Sequence, residues 1–204
     1  MLFRSTKKRN NAGEVIQYKA RLVAKGFTQR PGWDYNEVYA PVVMAATWRL
    51  MIAMAAKKDL DMHQVDAVSA YLQAKLDEEI YMTQIPGFED GTNRVLLLLK
   101  SLYGLKQAGH EWNKLLDKHL KSLGYIRCET DPCAYWRIKN GIFSMIGGHI
   151  DDMLMIVTKG YGQQMVDELK EVMEIKDLGQ AERDRKSTRL NSSHSGESRM
   201  PSSA

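Results

Sequence analysis

Gly147-Gly148-His149-Ile150-Asp151-Asp152 separates two short apolar runs, Ile142-Phe143-Ser144-Met145-Ile146 before it and Met153-Leu154-Met155-Ile156-Val157 after it. Runs of that length predict a hairpin of buried strands with the two aspartates at its tip. Adjacent carboxylates there cost folding free energy unless something compensates them, and a divalent cation is the natural compensator. A third carboxylate, Asp66, closes another strand-like stretch and is followed by Ala70-Tyr71.

The neighbouring patterns support that hairpin. Tyr135 to Ile138 reads as a strand turning at Asn140-Gly141 into the run before the aspartates. Trp112, Leu115, Leu116, Leu120 and Leu123 lie at helical spacing, with Gly124 as the stop. Val95 to Leu99 is a buried strand candidate, and Ile80-Tyr81-Met82 a short one before the Pro86-Gly87 turn. Leu60 to Val65 is the strand that delivers Asp66, and Thr47 caps a helix running to about Lys58. Ile16, Tyr18, Ala20, Leu22 and Ala24 alternate with Gln17, Lys19, Arg21, Val23 and Lys25, predicting a half-buried strand with a cationic face. Met165, Val166, Leu169, Val172 and Met173 mark a last amphipathic helix. Strands and helices are mixed around an antiparallel hairpin, which predicts an α+β fold rather than a doubly wound sheet. Three aspartates on such a framework suggest a metal-dependent polymerase palm.

Bulk properties narrow the classes. A chain of 204 residues with 44% hydrophobic content can bury a core, which excludes disorder throughout. Cys128 and Cys133 make neither a disulfide framework nor a zinc ligand set, and read as core or loop thiols in a reducing compartment. The basic opening is unlike a signal peptide, and the apolar runs are too short to span a bilayer, so no membrane partner is expected. The net charge of +4 conceals a division. Residues 1–30 hold eight Lys or Arg against one Glu, residues 31–182 sixteen against twenty-two acids, and residues 183–204 five against two. A basic front on an acidic body suits a protein that grips phosphates at one edge and binds cations inside. Three regions follow: a basic segment over 1–14 with room for flexibility, a folded body over 15–182, and a disordered tail over 183–204. The tail carries seven serines. It is similar to adapter-derived sequence found at the ends of unrelated reading frames, and reads as non-native.

Ordered blocks then carry a resemblance. Tyr18-Lys19-Ala20-Arg21-Leu22-Val23-Ala24-Lys25-Gly26-Phe27-Thr28-Gln29 comes first, followed by Ala40-Pro41-Val42-Val43 and His63-Gln64-Val65-Asp66 with Ala70-Tyr71-Leu72. Glu79-Ile80-Tyr81-Met82, Pro86-Gly87-Phe88, Leu102-Tyr103-Gly104-Leu105-Lys106-Gln107-Ala108 and Asp131-Pro132 with Tyr135 come next. Ile150-Asp151-Asp152 and Lys176-Asp177-Leu178-Gly179 complete the series. Over residues 15–181 the chain resembles the reverse transcriptases of copia-type LTR retrotransposons.

That resemblance implies a right-hand polymerase with fingers and palm, an antiparallel palm sheet backed by helices, and no thumb. It implies RNA-directed DNA polymerisation with two magnesium ions, for which manganese can substitute. Asp66 and Asp151 are then the principal metal ligands and Asp152 a weaker or outer partner. Tyr71 matches the aromatic residue beneath the incoming sugar. Lys19, Arg21 and Lys25 lie where fingers approach the triphosphate, with the contacting residue left open. Gly104 and Gln107 match a block lying against nucleotide and template, and His149 occupies the primer-contacting position usually held by tyrosine. Gly109-His110 stands where proline and arginine are common. RNA template, DNA primer, deoxynucleoside triphosphates and the rest of the polyprotein, including integrase and RNase H, are the implied partners. The implied location is cytoplasmic, in virus-like particles if the element is active. Because the match stops at Gly179-Gln180-Ala181, before the family's primer grip, the isolated chain is expected to be very weak or inactive. A non-catalytic nucleic-acid-binding remnant is the alternative. A nucleotide cyclase shares the carboxylates but not the fingers-like block or Tyr71.

Overall fold

The computed structural model describes residues 2–10 and 12–181. The expected Ser-rich tail over 183–204 lies outside the described residues. A six-stranded antiparallel sheet forms the centre, with strands in the order β10-β3-β9-β8-β7-β6. These are β3 (Asp61–Ala67), β6 (Ile126–Arg127), β7 (Ala134–Lys139), β8 (Ile142–His149), β9 (Asp152–Val157) and β10 (Ile175–Gln180). β7 turns into β8 through Asn140 at φ +53° and Gly141 at φ +78°, the backbone that a tight hairpin turn demands.

Helices cover both faces of this sheet. On one side, α3 (Ala108–Ser122) and α4 (Gly162–Val172) bring Trp112, Leu116, Leu120, Val166 and Leu169 against Val65, Met153, Met155 and Val157. On the other, α1 (Ala45–Lys58) packs Met51 and Ala55 against Met145, Leu154 and Ile156. β9 is therefore buried on both faces, which explains an unbroken apolar run in an antiparallel strand. Burying a Met, Leu or Ile side chain is worth about 1.5–3 kcal/mol, so β9 anchors the turn that precedes it.

Thr47 is not the cap of α1. It lies in the first turn, where its hydroxyl donates to Asp131, and the Met44 amide donates to the same carboxylate oxygen at 2.9 Å. The cap comes from 84 residues away: a buried carboxylate satisfies the helix's orphan donor and faces its positive end.

Two small sheets complete the fold. β1 (Leu2–Arg9) pairs antiparallel with β2 (Val15–Val23), so most of the basic segment expected to have room for flexibility is a strand. β2 is half-buried as its alternation suggests, and Leu22 and Ala24 of the apolar face pack inward, but Ile16, Tyr18 and Ala20 of that face do not. Lys19 and Arg21 turn inward, while Ile16 and Tyr18 are 63% and 74% exposed. β4 (Lys75–Met82) pairs with β5 (Leu96–Lys100). β5 was expected to be buried, yet only Leu98 packs inward, against Ile80, Leu102 and Leu105, and Leu99 is 78% exposed. The hairpin of β1 and β2 docks through the Ala24 amide, which donates to the Tyr103 carbonyl at 2.7 Å. Gly104, at φ +90°, permits that approach, because a Cβ there would collide with the Ala24 carbonyl. Among the described residues no helix is long and apolar enough to cross a membrane.

Candidate functional site

Asp66 is the penultimate residue of β3, and the amide of Ala67 after it donates to the Asp151 carbonyl at 2.7 Å. In the β3–β9 ladder Asp66 faces Asp152, and in the β8–β9 ladder His149 faces Asp152. The turn thus sets both hairpin aspartates against the end of β3. Ile150, inside the turn, has φ +55°, and Ser69, just beyond β3, has φ +50°. Non-glycine residues hold such backbone only where their surroundings over-determine it, and they concentrate at functional sites. Beyond Ser69, the short helix α2 (Ala70–Gln73) presents Tyr71.

Asp66 and Asp151 line one cavity of about 220 Å³ with Lys19, Arg21, Ser69 and Tyr103. The end of the sheet supplies the carboxylates and the inward face of β2 supplies the cations. Burial, with the charges of Arg21 and Lys8, lowers the pKa of the Lys19 ammonium, while Asp66 and Asp151 pull it the other way. Tyr103 is pushed up to about 12 by burial and by the Asp151 charge. The Arg21 guanidinium lies 5.3 Å from the centre of that ring, and the Tyr71 ring meets it at 4.9 Å and 60°. Burial and Asp151 also raise the Tyr71 phenol. A cavity offering carboxylates on one wall and cations on another suits a ligand that brings both phosphates and a metal ion.

The structure therefore gathers Asp66, Asp151, Lys19 and Arg21, with Tyr71 reaching the group through Tyr103. It does not gather the rest. Asp152 is absent from the residues lining the cavity. Lys25 is exposed and lines a separate groove with Tyr81 and Leu98. Gly104 serves the docking contact described above. Gln107 is 1% exposed; its amide donates to the Asp34 carbonyl at 2.9 Å and its carbonyl accepts from Gln29 at 3.0 Å. The side chain of His149 lies outside the described residues. Sequence reasoning overlooked Tyr103 and Lys8. Lys8 is half-buried and pairs with Gln17, and the face it shares with Lys19 and Arg21 follows from register, which one strand's pattern does not reveal.

Among the described residues, no group of three or more His, Cys, Asp or Glu is close enough to hold a metal ion alone. Asp66 and Asp151 share a cavity, and Asp152 faces Asp66 across the β3–β9 ladder. Two still fit magnesium, which is usually held by one or two carboxylates with phosphates and water completing its shell.

Comparisons with known proteins show the family. The family described as reverse transcriptase (RNA-dependent DNA polymerase) matches residues 3–183. The chain is 39% identical over 179 residues to the Retrovirus-related Pol polyprotein from transposon TNT 1-94 of Nicotiana tabacum, covering 86% of this chain and 14% of that protein. It is 38% identical over 154 residues to each of the Retrovirus-related Pol polyproteins from transposons RE1 and RE2 of Arabidopsis thaliana, covering 74% of this chain and 10% of each relative. The chain belongs to the reverse transcriptase family, in its copia-type retrotransposon branch. It spans between a tenth and a seventh of the length of these relatives. No solved structure matches it.

Proposed function

We propose that this chain carries the nucleotide-adding site of a retrotransposon reverse transcriptase, joining deoxynucleotides to a primer 3′-hydroxyl on an RNA template. The observation that carries the proposal is the cavity shared by Asp66, Asp151, Lys19 and Arg21. In this reading the six-stranded sheet is the palm, and the β1–β2 and β4–β5 sheets belong to the fingers. Asp66 and Asp151 are the residues that would hold divalent ions, with Asp152 in a supporting place. Two magnesium ions, when bound, supply the charge that activates the attacking hydroxyl and stabilises the departing pyrophosphate. Lys19 and Arg21 bind the triphosphate, and the stacking of Arg21 on Tyr103 fixes the guanidinium's direction before substrate arrives. Tyr71 closes the space that a 2′-hydroxyl would need. His149 supports the primer end. The relatives are named as Pol polyproteins, which supports further Pol domains as neighbours; integrase and RNase H are the neighbours proposed, and cytoplasmic virus-like particles the proposed location.

Extension of an oligo-dT primer on poly-rA with magnesium or manganese tests this reading. Very weak extension or none is expected of the isolated chain, and Asp66→Asn and Asp151→Asn each remove whatever activity it has. Extension that survives either substitution contradicts the assignment. Salt-sensitive nucleic-acid binding with neither extension nor a metal effect supports a non-catalytic remnant instead.

A further inference from the structure

Trp112 is 2% exposed on α3, yet its ring is not only core filling. Its indole Nε1–H donates to the Ile150 carbonyl at 2.8 Å, and Ile150 is the left-handed residue immediately before Asp151. The next carbonyl, that of Asp151, accepts the Ala67 amide. Two successive peptide groups of the aspartate turn are therefore each held, one by a helix side chain and one by β3.

Packing on the helix side is incomplete at the turn itself. A cavity of about 70 Å³ opens there, lined by Trp112, Gly148, Ile150, Tyr71, Leu116 and Cys133. A void supplies no van der Waals restraint to the atoms around it, so a directional bond there adds restraint that packing does not. A β-branched residue with positive φ also has a relaxed alternative close in energy, which that bond opposes.

We propose that Trp112 is a positioning residue, whose indole N–H holds Ile150 in its left-handed conformation and so sets the Asp151 carboxylate against Asp66. The inference rests on the polymerase reading and adds to it a residue that touches neither substrate nor metal.

The test uses the full chain with two replacements of Trp112. Trp112→Phe keeps an aromatic ring and removes the donor, and β-(3-benzothienyl)alanine at 112 keeps the indole shape with sulfur in place of N–H. Manganese affinity is read by water-proton relaxation, and kcat and KM for dTTP are read on poly-rA/oligo-dT. Both variants are expected to bind manganese about tenfold more weakly and to lose about tenfold in kcat with KM unchanged. Adding Ile150→Gly, which accepts positive φ freely, is expected to recover most of the loss. Should Trp112→Phe fail to fold, the benzothienyl variant decides alone. Wild-type manganese affinity and kcat in that variant overturn the inference, as does a loss that Ile150→Gly leaves unrecovered. If the wild-type chain shows no manganese binding dependent on Asp66 and Asp151, the polymerase reading itself falls and this inference falls with it.

Discussion

The carbonyl of Asp151 accepts the amide of Ala67 at 2.7 Å, joining the turn before β9 to the end of β3 through one peptide bond's length of chain on each side. Asp66 and Asp151 are 85 residues apart in sequence, yet their carboxylates line the same cavity because of that join. The buried flanks of β9 hold the turn from below, and the hairpin of β1 and β2 places Lys19 and Arg21 on the same cavity.

Removing a cation from the cavity should weaken nucleotide binding more than chemistry. Arg21→Ala is expected to raise KM for a deoxynucleoside triphosphate about tenfold, in line with the loss of a charge-assisted hydrogen bond. Arg21→Lys should recover only part of this, because an ammonium lacks the planar fork that stacks on Tyr103. Steady-state extension at varied nucleotide concentration reads both. An unchanged KM in Arg21→Ala would place the triphosphate elsewhere.

Tyr71 packs its ring against Tyr103, so shortening it opens space beside the Asp151 carboxylate. Tyr71→Val is expected to raise incorporation of ribonucleotides relative to deoxynucleotides by about a hundredfold, on the scale of a removed steric clash. Competition between rUTP and dTTP measures it. Equal discrimination in wild type and variant would show that another residue guards the sugar.

The remote cap of α1 gives a stability prediction. Burial alone would raise the Asp131 carboxyl, but the Thr47 hydroxyl and the Met44 and Cys133 amides outweigh it and hold the carboxyl below its ordinary value of 3.8. A depressed folded pKa contributes stability that is full above the unfolded value and is lost as pH falls through the folded one. Asp131→Asn should therefore cost about 2 kcal/mol near neutrality. It should also flatten the fall in Tm below about pH 4 that the wild type shows. Parallel pH dependences in thermal melts of the two proteins would remove Asp131 from the account.

Much of this architecture is legible in the sequence, for identifiable reasons. The β8–β9 hairpin, α3 and the Asn140-Gly141 turn are governed by local periodicity and turn chemistry, which a short window contains. β10 lacks such a signal: it is an edge strand with Lys176 and Asp177 beside Leu178, and only its partner β3 defines it. The exposure of Ile16 and Tyr18 on β2, and of most of β5, depends on which side of each hairpin meets the body. Among the site residues, Asp66 and Asp151 stand out through their motifs. Gln107 is engaged by Gln29 and Asp34, contacts 78 and 73 residues away that no local pattern contains. Tyr103 enters the site only through tertiary docking, and Lys8 stands near Lys19 only through the β1–β2 register.

Anomalous diffraction from crystals of the chain grown with manganese and a deoxynucleoside triphosphate addresses the central claim most directly. The account predicts manganese density at the carboxylates of Asp66 and Asp151, with the triphosphate against Lys19 and Arg21. Ordered triphosphate bound away from that cavity, or manganese contacting neither aspartate, would contradict it.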